Sequence, residues 1–196
     1  CRPRKYHGAL ATAGVTFPPV RIAIQDLGGN AVGSPATLNK IITVGITSGT
    51  GTAGATLSGS TTSGVDVSGT AIFGDLSIDK SGSGYPLTAT STGLTSATSL
   101  AFGIIAGPAT QLAFTVQPST TVAGTAMSTA VKVTAQDALG NTDTSFASII
   151  TVAITSGTGT VGATLSGATT ASPTKGVATF AGLSIDKAGR TSSGTG

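Results

Sequence analysis

Ile46-Thr-Ser-Gly-Thr-Gly-Thr-Ala-Gly-Ala-Thr-Leu-Ser-Gly59 returns later in the chain as Ile154-Thr-Ser-Gly-Thr-Gly-Thr-Val-Gly-Ala-Thr-Leu-Ser-Gly167, with Ala53 exchanged for Val161 and nothing else changed. A repeat this faithful comes before any local reading, because a chain made of two copies is built from two similar units. Working outward, Leu76-Ser-Ile-Asp-Lys80 returns unchanged as Leu183 to Lys187. Gln25-Asp26 with Gly29-Asn30 returns as Gln136-Asp137 with Gly140-Asn141. The offset between copies drifts by a few residues from block to block, which places the length changes in loops, where insertions are tolerated.

Each copy reads as a succession of short strands. In the second, apolar residues alternate with polar ones at Leu112, Phe114 and Val116, at Val131, Val133 and Ala135, and at Ile150, Val152 and Ile154. In the first they alternate at Val20, Ile22 and Ile24, at Ile42, Val44 and Ile46, at Ala71 and Phe73, at Tyr85, Leu87 and Ala89, and at Leu100, Phe102 and Ile104. A period of two is the pattern of half-buried strands, and no segment shows a helical period. Gly-Gly-Asn, Ser-Gly-Thr-Gly and Asp-Lys-Ser-Gly clusters between the runs supply turn conformations that branched residues resist. Combining the copies gives about seven strands in a unit of roughly 100 residues, the arithmetic of an immunoglobulin-like sandwich. The spacing also predicts a tyrosine corner: Tyr85 opens a strand after a Gly-rich bend, where its hydroxyl can bond upstream backbone. The fold class expected is therefore all-β, as tandem immunoglobulin-like β-sandwiches, both incomplete at the chain ends.

Composition removes several function classes. All seven acidic residues are Asp, so Glu-dependent acid-base or metal chemistry is excluded. Ser and Thr make up about three residues in ten, a polar but uncharged bias typical of extracellular β-rich modules. The formal charge of +3 comes wholly from Arg2, Arg4 and Lys5, which leaves no clustered basic face for nucleic acid. Gly, Ser, Thr and Pro interrupt every apolar run before 18 residues, so no membrane-inserting helix is expected. Cys1, the sole cysteine, excludes an internal disulfide. Lipidation of Cys1 is disfavoured, because Arg2-Pro3-Arg4-Lys5 is unlike a flexible tether, and no signal peptide is visible.

The Gln-Asp-x-x-Gly-Asn run, the Gly-Ala-Thr-Leu-Ser-Gly segment, Gly176-Val-Ala-Thr-Phe180 and the Asp-Lys-Ala/Ser-Gly corners resemble bacterial immunoglobulin-like repeats of the invasin and intimin type. The resemblance covers about Ala13 to Gly189. It implies a module of a large extracellular or surface-anchored bacterial protein, in which such repeats act mostly as spacers and adhesion stalks, and it transfers no functional residue. Two departures stand out. Cys1 to His7 occupies the place of the strand Gln111 to Gln117, and the second copy reaches Gly196 before any counterpart of Tyr85 to Ile105. The expected division is thus a non-repeat segment 1–12, a first repeat 13–106 with its first strand missing or replaced, and a second repeat 109–196 without its last two strands.

Candidate sites are few. Gly49-Thr-Gly51-Thr-Ala-Gly54, recurring at Gly157, Gly159 and Gly162, fits a dinucleotide fingerprint, but Ala-Thr-Leu-Ser-Gly follows it and not a helix, so no cofactor is expected. Asp26 with Asn30, and Asp137 with Asn141 and Asp143, gather side-chain oxygens that calcium could use. The competing role is local: such residues bond their own backbone to hold a turn. Asp79 and Asp186 invite the same reading. No nucleophile elbow or triad exists around His7, so no enzyme is expected.

The link centred on Ala106-Gly107-Pro108 is short and contains Pro, which restricts reorientation of the two units. The sequence-level expectation is a non-enzymatic, stalk-like, adhesion-related spacer of a bacterial cell-surface or secreted protein. Its partners would be neighbouring repeats and an unassigned host or surface ligand. The alternative is a carbohydrate-binding or accessory module of a secreted hydrolase. That alternative needs exposed rings, and with Phe73, Phe102, Phe114 and Phe180 assigned to the core, only Tyr6, Phe17 and Phe146 remain for it.

Overall fold

The computed structural model describes residues 11–33 and 39–189. Among them the protein is all-β, with no helix. The chain divides into two compact units between Gly107 and Pro108, within the Pro-containing link.

Unit 1 contains β1 (Ala11–Thr12), β2 (Val20–Ala23), β3 (Ile41–Ile46), β4 (Leu57–Ser58), β5 (Thr62–Gly64), β6 (Thr70–Phe73), β7 (Ser77–Ile78), β8 (Gly82–Tyr85), β9 (Leu87–Thr90), β10 (Ala97–Thr98) and β11 (Phe102–Ile105). Four of these form a sheet in the order β10-β9-β3-β5, with Val44 opposite Ala89 and Ile42 opposite Ser63. Two further pairs, β2 with β6 and β4 with β7, are antiparallel. The alternation read from sequence explains the core: Ile42 and Val44 turn inward while Ile41 turns out. Ile42, Val44 and Ala89 from the four-stranded sheet meet Ile24, Ala71, Phe73 and Leu76 from the β2–β6 side in one buried cluster.

A second cluster, Ala13, Ile78, Tyr85 and Ile104, lies where β11 joins β8 antiparallel and β1 parallel. Ala11 and Thr12, at the end of the stretch read as lying outside the repeat, therefore pair within unit 1, opposite Ile104 and Ile105. The chain beyond β1 bonds back through Gly14 N–H to the Ile78 carbonyl (2.8 Å) and Phe17 N–H to that of Leu76 (3.0 Å). Unit 2 repeats both bonds, from Gly124 to Ile185 (2.8 Å) and from Met127 to Leu183 (2.8 Å).

Tyr85 is completely buried, and its hydroxyl donates to the Lys80 carbonyl at 2.9 Å, as the corner reading expects. The run Tyr85, Leu87, Ala89 is not one strand, however. Pro86 lacks the N–H that a continuous ladder would need, and the chain changes sheets there. Tyr85 pairs with Phe102 on β11, whereas Leu87 pairs with Ile46 on β3.

Unit 2 contains β12 (Gln111–Val116), β13 (Val131–Gln136), β14 (Ile150–Thr151), β15 (Leu165–Ser166), β16 (Thr170–Ala171), β17 (Val177–Phe180) and β18 (Ser184–Ile185). Its sheets are β12-β13-β17, β14-β16 and β15-β18. The core of Val131, Val133, Ile150, Ala178, Phe180 and Leu183 uses the counterparts of Val20, Ile22, Ile42, Ala71, Phe73 and Leu76, of which Val20 and Ile22 are only half-buried in unit 1. One expectation fails here. Leu112 and Phe114 do not enter the core: they are 55% and 48% exposed. No described residue of unit 2 forms a counterpart of β9 to β11, so the inward face of β12 has little to pack against.

The glycine-rich loops report the same difference. Gly51 has φ +69°, and a Cβ there would collide with the Tyr85 ring, so the loop closes over that ring only because it is bare at this point. Gly159, its copy, has φ +71°, and a Cβ there would meet no described residue within 4 Å. Both Ala substitutions incur the left-handed strain of about 1–2 kcal/mol, but only Gly51→Ala also collides. Calorimetry should show Gly159→Ala destabilising unit 2 by about that amount and Gly51→Ala destabilising unit 1 by at least about 1–3 kcal/mol more. Equal losses would show that the Tyr85 contact does not constrain the loop.

Candidate functional site

The candidate calcium ligands lie in two copies of one loop. In unit 1 a bridge between Gln25 and Ala31 closes it, and Asp26 N–H donates to the Asn30 carbonyl at 3.0 Å. One Asp26 oxygen then accepts Gly28 N–H (2.9 Å) and Asn30 N–H (2.9 Å), and the other accepts Asn30 Nδ2 (3.1 Å). In unit 2 Gln136 bridges Thr142, and Asp137 takes Leu139 N–H (2.9 Å), Asn141 N–H (2.8 Å) and Asn141 Nδ2 (3.0 Å). The sequence brings Asp and Asn together, and the geometry directs N–H groups at the carboxylate. That is the turn-holding arrangement of an Asx motif.

Asp143 does not join that loop's set of oxygens through a shared contact. It accepts Ser145 N–H (2.9 Å) and Ser145 Oγ (2.6 Å) on one oxygen and Ala109 N–H (2.9 Å) on the other, tying the first residues of unit 2 to its interior. Asp79 and Asp186 act as a matched pair, accepting Thr56 N–H and Thr164 N–H, each at 2.7 Å. Among the described residues, no three His, Cys, Asp or Glu side chains gather in one place.

Sequence reasoning missed two aspartates that have no copy, Asp66 and Asp75. Asp66 accepts Ser68 N–H (2.9 Å), Ser68 Oγ (2.6 Å) and Thr70 N–H (3.0 Å). Asp75 accepts Ser60 N–H (3.0 Å) and Ser60 Oγ (2.8 Å), a bond across 15 residues that no local pattern announces. The signal available, Asp-x-Ser, marks the bond at Asp66-Val-Ser68 and Asp143-Thr-Ser145 but also occurs at Asp75-Leu-Ser77, whose carboxylate takes Ser60.

These bonds set the electrostatics. The Asn30 backbone and side chain hold Asp26 below the usual carboxylate range. The Ser68, Ser60 and Ser145 hydroxyls do the same for Asp66, Asp75 and Asp143, and the Thr164 N–H for Asp186. At Asp79 burial pushes upward, but the bonds from Thr56 outweigh it, and the net direction is again down. None of these groups is poised as a general acid or base near neutrality.

The fingerprint-like loops are followed by β4 and β15, not by helices, so no helix N-terminus is present to hold a phosphate. Their hydroxyls brace the adjoining corner instead: Thr52 Oγ1 donates to the Ser81 carbonyl (2.8 Å) and Thr160 Oγ1 to that of Ala188 (2.7 Å). The ring assignments reverse in part. Phe17 is half-buried, stacked edge-on against Phe102 at 5.7 Å, and Phe146 is half-buried against the unit 2 core, while Phe114 is the exposed ring. Tyr6, His7 and Cys1 lie outside the described residues. Compared with protein-family models, with curated proteins and with solved structures, the chain finds no match.

A lowered carboxylate pKa means fewer protons bound folded than unfolded. Each such Asp therefore stabilises the fold above the unfolded value of about 3.9, and that contribution is lost as pH falls through the folded value. The thermal midpoint should be level from about pH 7 to 5 and fall steeply below about pH 4. Asp75→Asn should lower the midpoint at pH 7 and shrink the acid drop. An unchanged acid limb in that variant would remove Asp75 from the set.

Proposed function

We propose that the chain is a spacer of a larger bacterial surface or secreted protein, made of immunoglobulin-like units and acting without catalysis. The observation behind this reading is where the reactive side chains spend their hydrogen-bonding capacity: the aspartates of both units accept N–H or hydroxyl donors from their own unit. A set of carboxylates used in this way, much of it duplicated, is scaffolding. The pairing of β2 with β6 and of β3 with β9, and the Tyr85 bond to Lys80, support the immunoglobulin-like assignment. A Ser/Thr-rich, charge-poor surface supports an extracellular place, and the Pro-containing link supports load-bearing connection to neighbouring repeats.

The carbohydrate-binding alternative keeps fewer rings, because Phe17 and Phe146 are engaged in packing, while Tyr6 lies outside the described residues and Phe114 is exposed. Small-angle scattering tests the spacer reading. A profile unchanged between calcium and chelator is the expected result. A profile that extends only with calcium would return Asp26, Asn30, Asp137 and Asn141 to the role of ligands.

A further inference from the structure

Unit 1 has an open groove of about 880 Å³ beside β2, walled by Ile22 and Ile24 on one side and by Ile42, Ala89, Leu94 and Ala97 on the other. Among the described residues, no strand pairs with the outer edge of β2. Ile24 N–H bonds toward the β6 side, to the Gly69 carbonyl at 2.9 Å, and backbone groups alternate along an antiparallel strand. Arg21 and Ala23 therefore present N–H and C=O to the opposite edge, where no described residue forms a ladder with them. Ser91 Oγ, on the groove wall, is buried and has no hydrogen-bond partner among the described residues.

Unit 2 shows what fills this position. There β12 lies along β13, with Leu112 opposite Ala135 and Phe114 opposite Val133. With Gln136 placed on Gln25, those partners become Ile24 and Ile22, the two β2 residues that line the groove. Residues directly opposite in an antiparallel pair share a face, so a strand of this type on β2 would direct its Leu and Phe into the groove. The loop next to it agrees. Asp137 and Asn141 are buried where the Gln111 side chain donates to the Asp137 carbonyl (3.1 Å), whereas Asp26 and Asn30 are exposed. The preceding residues of this chain have the wrong chemistry, since with Cys1 to His7 placed on Gln111 to Gln117, Arg2 and Arg4 stand where Leu112 and Phe114 do.

We propose that this groove is a strand-acceptor site. An extended segment with apolar side chains at alternate positions, of the Gln111–Val116 type and contributed by another polypeptide, pairs with the outer edge of β2 and seats those side chains against Ile22 and Ile24. Main-chain bonds supply affinity and the alternate side chains supply selectivity, as in other strand additions. The inference stands on the groove and on unit 2 and is independent of the spacer reading.

The test titrates the full chain into a fluorescein-labelled peptide of sequence Gln111 to Gln117 and follows anisotropy. Saturable one-to-one binding is expected, weakened at least about tenfold (about 1.4 kcal/mol) when the peptide carries Leu112→Asp and Phe114→Asp. Ala23→Pro in the chain should weaken it similarly. That change removes a donor from the outer edge, where Pro is tolerated, and its fold is checked by circular dichroism and thermal midpoint. The peptide variant keeps the test decisive if Ala23→Pro unfolds. Absence of saturable binding, equal binding of the Asp peptide, or undiminished binding to folded Ala23→Pro would each overturn the proposal. A concentration-dependent dimer that the peptide leaves intact would assign the groove to a second copy and overturn it as well.

Discussion

The hydrogen bond from the Tyr85 hydroxyl to the Lys80 carbonyl organises one end of unit 1. A buried phenol must find an acceptor, since leaving the hydroxyl unpaired costs about 1–3 kcal/mol. Meeting that demand within five residues folds the Asp79-to-Gly84 bend back onto the ring. The bend delivers Tyr85 to β8 while Pro86 hands the next residues to β9 in another sheet. Phe102 stacks at 6.3 Å from the ring, Ile78 and Ile104 close around it, and Gly51 lets the preceding loop lie on it without a collision. Bare glycine, phenol and proline thus meet at one corner.

Unit 2 shows the same chain stretches without that tyrosine. The counterpart position of Tyr85 is Ser192, outside the described residues. Ile78 is fully buried, but its copy Ile185 is only half-buried, and Val152 is more open than Val44. The loops themselves still form, because Thr160 and Asp186 bond as Thr52 and Asp79 do. Loop conformation therefore depends on local polar bonds, and burial depends on what arrives from the next strands. These are separable contributions, and duplication separates them within one molecule.

Much of the fold was legible from two facts, the repeat and the period of two. Ile42, Val44, Ala71, Phe73, Val131, Val133 and Phe180 enter cores as the alternation requires. The failures share a cause. Alternation says which residues share a face, but not whether anything covers that face, so Leu112 and Phe114 read as core although little lies over them. Alternation also runs through Pro86 without registering the missing donor. At the candidate site, residue types were legible and their use was not. Asp26 and Asn30 suit a cation or a turn equally well on paper, and only the directions of the Gly28 and Asn30 N–H groups distinguish the two. Asp75 with Ser60 was beyond reach, because the contact depends on β4 to β6 folding back.

With charged residues at 9% of the chain, few side chains can solvate backbone ends, and strands this short leave many ends to solvate. Aspartate suits such ends because one carboxylate accepts several N–H groups at once, and ionised acceptors make stronger bonds than neutral ones. Glutamate, one methylene longer, reaches past its own turn and loses side-chain freedom when fixed. The absence of Glu and the concentration of Asp at corners are then a single statement about turns. The hydrogen-bonding capacity of these carboxylates is thus directed inward, at the backbone of their own unit.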